Sequence, residues 1–149
     1  MRSINPALIQ SRLAKWCSLQ DRAISQAKKK LALHEISEED RQRILNYLIE
    51  QKYLDDLRFA QSYVRSKSVY KQWGEVKIRH HLKALHIDSK HINQACLEEL
   101  PESHTIETLE KLTKKKALST TDQAKVLRFL LQRGYPYGMA YDSVKRWMK

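Results

Sequence analysis

Apolar residues along this chain recur at the spacing of a helical face, and the faces themselves recur. Three stretches read alike: Ala27, Leu31 and Ile36; Ile78, Leu82 and Ile87; Val126, Leu130 and Tyr135. In each, an apolar residue is followed four positions on by leucine, and five beyond that by another large apolar residue. A four-residue step is close to one helical turn, so the first two members share a face. The third lies past the helix end. The pattern returns after 51 and then 48 residues, a near-constant period that predicts stacked helical units.

The middle unit shows the plan best. Helices are expected over about 55–71, 74–86 and 88–100. Their apolar stripes are Phe59, Ala60, Tyr63 and Val64; then Val76, Ile78, Leu82 and Leu85; then Ile92, Ala95, Cys96 and Leu100. The fold class is therefore all-α, with tandem three-helix repeats at residues 1–52, 53–101 and 102–149. Pro101 disfavours a helix running through the second boundary. A unit of about 50 residues has a small core, so contacts between neighbours should supply much of the stability.

The junctions carry matching signals. Gly134 stands where a helix C-terminus turns left-handed, and Pro136 suits the first turn of the next helix. Asp88 can cap its helix, with Ile87 and Ile92 at the two positions of a hydrophobic staple. Ser37 to Asp40 resembles a capping box, although Arg41 occupies the staple position, which makes the first unit the most degenerate. Asp55 can accept from the free N–H groups of a first turn, and Asp56 lies near the positive end of the same helix dipole.

Composition agrees with helices: three glycines and three prolines in 149 residues are few turn-formers for a β protein. The two cysteines, Cys17 and Cys96, sit in apolar helical segments and read as buried free thiols. The histidines have no metal-ligand spacing, and His80 and His81 diverge by about 100° on a helix. The acids assemble no metal set, and no Cys–His pair is spaced as nucleophile and base. No enzyme activity, catalytic residue, metal or cofactor is therefore expected. No signal-like segment opens the chain and no apolar run nears the roughly 20 residues of a membrane span, so the expectation is a cytoplasmic protein with no membrane partner.

Charge changes the picture more. The formal net charge is +11, which points to a polyanionic partner. The surplus is also patterned. From Arg58 to Lys83 stand Arg58, Arg65, Lys67, Lys71, Lys77, Arg79 and Lys83 against the single acid Glu75. From Arg12 to Lys30 six basic residues face Asp21 alone, and from Lys111 to Arg133 seven, including Lys115, Arg128 and Arg133, face Asp122 alone. Positive charge thus falls on the first two helices of each unit, in phase with the repeat. Stacked units would align it into one basic track for acidic side chains or phosphates. Trp73, between two basic helices, suits a base stack, a protein anchor or a core edge equally. Trp16 and Trp147 have the spacing of core residues.

Tyr53-Leu-Asp-Asp56 with Arg58-Phe-Ala60, then Ile78-Arg79, and finally Arg128-Phe-Leu-Leu-Gln-Arg-Gly-Tyr135 resemble the RecX family of bacterial regulators of the RecA recombinase. The likeness is strongest in the middle unit and covers about two thirds of the chain. It implies an elongated, curved solenoid, monomeric, lying along the groove of the RecA–single-stranded DNA filament. It implies inhibition of RecA ATPase, strand exchange and coprotease activity. It falls on Tyr53, Asp55, Asp56, Arg58, Phe59, Arg79, Arg133 and Gly134. The alternative from charge alone is a general DNA-binding module without a protein target. Two positions depart from the family pattern: Lys52 and His86 stand where glycine is usual. Each must accept a left-handed backbone or end its helix differently.

Overall fold

A computed structural model describes residues 5–149. Among the described residues there are nine helices and no strand: α1 (Pro6–Leu19), α2 (Ile24–Ala32), α3 (Glu38–Glu50), α4 (Asp56–Val69), α5 (Glu75–Ala84), α6 (Ser89–Glu99), α7 (Glu102–Ala117), α8 (Gln123–Gln132) and α9 (Tyr137–Trp147). They form three-helix repeats, as the periodicity predicts. None of these helices is long and apolar enough to cross a membrane, and no group of three His, Cys, Asp or Glu among the described residues could hold a metal ion.

Side chains start the helices. Asn5 Oδ1 accepts from Ala7 N at 2.9 Å with Pro6 in the first turn. Ser37 accepts from Asp40 N, Asp55 from Arg58 N and Asp88 from Lys90 N, each at 3.0 Å. These bonds satisfy N–H groups that no helix can satisfy itself. Helix ends are marked by left-handed residues: Gly134 at φ 98°, and also Lys52 at 67° and His86 at 59°. The two non-glycine residues thus take the αL geometry. Pro136 lies one position earlier than expected, at the cap of α9.

Each repeat has its own apolar core. Ile9, Leu13, Leu31 and Leu48 centre the first; Val64, Ile78, Leu82 and Ile92 the second; Val126, Leu130, Tyr135 and Ala140 the third. Both cysteines are buried free thiols. Burial raises both thiol pKa values, partly offset at Cys17 by nearby arginines. Two expectations fail. Val76 is exposed, because it stands about 200° around the helix from Ile78 and Leu82 holds the opposite, core-facing line. Trp147 is 39% exposed, at the last residue of α9, and its ring lies under the Lys114 ammonium at 3.8 Å. Trp16 is half-buried against the first core.

The junctions between repeats use backbone ends. Gly74 N, at the start of α5, donates to Arg133 O at 2.7 Å, and Val76 N donates to Gly134 O at 3.0 Å. Ser25 Oγ, at the same repeat position as Val76, donates to Leu85 O at 2.6 Å. So the amide end of the middle helix in one unit meets the carbonyl end of the middle helix in the next, ends of opposite partial charge. The fit at the second junction is tight. A Cβ on Gly74 would stand 2.5 Å from Gly134 O, and one on Gly134 would overlap Lys77 Cβ. The two outer ends are closed differently. The guanidinium of Arg41 donates to His34 O at 2.8 Å and Leu31 O at 3.4 Å, at the carbonyl end of α2. Asp122 accepts from Lys125 N at 3.3 Å, at the amide end of α8.

Candidate functional site

The basic residues divide into two groups. Arg58, Arg65 and Arg79 are neutralised within the chain. Arg58 Nε lies 3.0 Å from Asp21 Oδ1, and its other nitrogens donate to the carbonyls of Lys52 and Tyr53. Arg65 pairs with Glu99 at 2.9 Å, and Arg79 with Glu75 at 2.7 Å and with Asn93. These three arginines therefore clasp helices and junctions, and are not the free cations that the charge count implied. Asp21 and Glu99 are too far along the chain to be assigned as partners from spacing, whereas Glu75 stands one helical turn before Arg79, a pairing that spacing allows. Asp56 likewise reaches across a junction, accepting from Ile24 N at 2.9 Å. Burial raises its pKa, and the bond from Ile24 offsets part of that rise.

Lys67, Lys71, Lys77, Lys83, Lys115, Arg128 and Arg133 make no ion pair among the described residues. Lys83 and Arg128 are exposed on α5 and α8. Lys67, Lys71 and Lys77 flank the link between α4 and α5, and Arg133 reaches it from the third repeat. Trp73 is half-buried there and packs at the edge of the second core, one of the places its sequence position allowed. The Lys67 and Lys77 ammonium groups lie 5.1 and 4.5 Å from its ring centroid, and the His81 ring lies 4.7 Å away. Tyr63 stands edge-on to the indole at 6.5 Å and also carries Lys67 over its ring at 5.3 Å. Loss of solvation, then the charges of Lys77 and Lys67 with the neighbouring His80, lowers the His81 pKa and favours its neutral form.

On the other side of the link a second ring is dressed the same way. Phe129 of α8 lies under Lys116 at 4.9 Å and Arg133 at 5.1 Å. Arg133 also donates to Lys71 O at 2.8 Å, and Tyr135 Oη to Gln72 O at 2.9 Å, so the third repeat holds the link of the second in place. Gln72 itself is left-handed, at φ 56°. A cavity of about 260 Å³ opens between them, lined by Gln72, Leu112, Lys115, Lys116, Phe129 and Arg133. Tyr63, expected only in an apolar stripe, and His81, considered only as a metal ligand, join the site, as do Lys116 and Phe129. The signal was present as one-turn pairs: Tyr63 with Lys67, Lys77 with His81, Phe129 with Arg133. The motif residues have structural places. Tyr53 stacks on Tyr47 at 6.3 Å, Phe59 is buried against Tyr63, Asp55 caps α4, and Gly134 lies in the junction.

Comparison with known proteins adds to this geometry. Residues 55–95 match the family model described as RecX, second three-helix domain. Regulatory protein RecX of Vibrio parahaemolyticus is 37% identical over 123 residues, covering 80% of this chain and 79% of that protein. The chain belongs to the RecX family. A crystal structure of regulatory protein RecX superposes with a TM-score of 0.80 at 27% identity, covering 95% of this chain and 71% of that one. RecX from Lactobacillus salivarius superposes at 0.84 with 23% identity, covering 95% of both chains, a likeness of fold. The matched stretch contains the Trp73 link, and RecX relatives are regulatory proteins by name.

Proposed function

We propose that this chain is a non-enzymatic regulator that binds the RecA–single-stranded DNA filament and restrains its ATP hydrolysis, strand exchange and coprotease activity. RecX family membership supports the regulator. The observation that carries the partner is the set of unpaired cations, Lys67, Lys71, Lys77, Lys115 and Arg133, gathered where two repeats meet while the neighbouring arginines are neutralised. An array of repeats bridging successive filament subunits opposes the shifts that ATP turnover requires. It does so only as far as it binds the restrained filament more tightly than the active one.

The test is DNA-dependent ATP hydrolysis by RecA with this protein in excess. Turnover falls as the protein is added, and the charge-neutral variant Lys67→Gln/Lys77→Gln requires a higher concentration for the same effect. Unchanged ATP hydrolysis and unchanged LexA cleavage with the wild-type chain would refute the reading.

A further inference from the structure

We infer that the junction of the second and third repeats is a base-stacking site for single-stranded nucleic acid, with Trp73, in the link beside the cavity, and Phe129, in the cavity wall, as the two platforms. Each ring carries two cations: Lys67 and Lys77 at Trp73, Lys116 and Arg133 at Phe129. None of the four has a carboxylate within ion-pair distance among the described residues. The acid closest in sequence to Trp73, Glu75, is held by Arg79. A group of uncompensated cations this close together is relieved by an anion. The ring faces specify more than charge. Flexible lysine ammonium groups resting on an indole or a phenyl can swing aside to phosphates and leave the face for a base.

A ligand with both phosphates and free planar faces is an unpaired strand, since a duplex hides its base faces. An acidic protein segment would satisfy the lysines and leave both rings unused. The two platforms are also fixed relative to each other, because Arg133 and Tyr135 hold the carbonyls of Lys71 and Gln72 between them. His81 lies against Trp73 with its ring tilted by 42° and, favouring its neutral form, supports the indole without adding charge. The inference rests on the regulator reading only for the source of the strand; its contacts stand independently of RecA.

Labelled oligo-dT and an abasic oligodeoxyribose-phosphate of equal length and charge are titrated with the full chain and followed by anisotropy. The dT strand binds more tightly than the abasic one. Trp73→Ala and Phe129→Ala each weaken dT binding by about tenfold, in the range of one lost stack, and change abasic binding less than about twofold. Trp73→Phe, which keeps a ring, restores most of the loss and separates stacking from a folding defect. In a Trp16→Phe/Trp147→Phe background, dT quenches Trp73 fluorescence and the abasic strand does not. Equal binding of dT and abasic strands overturns the inference. So does polyglutamate that binds as tightly as dT with the same dependence on both rings, which assigns the junction to an acidic protein. RecA ATP hydrolysis measured on the same samples separates the two ideas. Inhibition without ring-dependent dT binding keeps the regulator and removes the stacking site, and the reverse result does the opposite.

Discussion

Arg58 and Lys67 lie on the same helix and differ in what surrounds them. Arg58 is spent on Asp21 and two carbonyls, whereas Lys67 rests on two aromatic rings with no carboxylate partner. Arg58→Ala is expected to lower stability by about 1 kcal/mol, after allowance for its partial exposure, and to leave binding intact at temperatures where the chain stays folded. Lys67→Ala should change stability by less than about 0.5 kcal/mol and weaken binding. Thermal melts beside filament-binding curves check both. The distinction was not legible in the sequence. Both residues count equally in a charge tally, and the partner of Arg58 belongs to another repeat. The cap Asp55 was legible because its partner lies three residues on; the bond from Asp56 to Ile24 was not, because it crosses a junction.

Tyr135 makes a pH prediction. Burial raises its phenol from 10.0 to about 12, with Arg133 lowering it in part. The folded pKa lies above the unfolded one, so the folded state keeps the proton longer. The stability linked to Tyr135 is fully present below pH about 10 and is lost as pH rises through about 12. Tyr135→Phe should lose about 1 kcal/mol at neutral pH with its bond to Gln72, and its melting temperature should fall less steeply than that of the wild type between those pH values.

Among the helices, the repeat period located the turns well, because apolar spacing and capping residues are local properties. The tightness of the joints was not local. Gly74 carries no distinguishing signal in the sequence, yet a Cβ there would meet the backbone of Gly134 across a junction. Gly74→Ala and Gly134→Ala should each cost about 2 kcal/mol or more, the second adding a positive φ that alanine resists. Gly138→Ala, inside α9 with nothing within 4 Å of the new methyl, should instead stabilise by about 0.5–1 kcal/mol. Urea midpoints of the three variants decide it. Trp147 was misread for a related reason: a helix-terminal position satisfies the apolar spacing without being covered by another helix.

In the molecule as a whole, the phase of charge with the repeat was visible in the sequence, while its cancellation by Asp21 and Glu99 required coordinates. The basic track loses Arg58, Arg65 and Arg79 to carboxylates of the same chain, and keeps unpaired cations at the junction of the second and third repeats. Neutralising Lys67, Lys71, Lys77 and Lys115 together with glutamine should reduce the salt dependence of single-strand binding by about 3 units of log K per log salt if each meets a phosphate, at ~0.7 per contact. Arg65→Gln should leave that slope unchanged. Affinity measured across a salt series reads both.

The closing of the two outer ends has a further consequence. A body whose internal joints all match one kind of end to the other would, if left open, accept a second molecule at each extremity and grow into a fibre. The guanidinium of Arg41 on the carbonyls of α2 and the carboxylate of Asp122 on an amide of α8 are expected to hinder that growth. Arg41→Ala/Asp122→Ala should show particle mass climbing with concentration in light scattering, while the wild-type chain holds a constant mass.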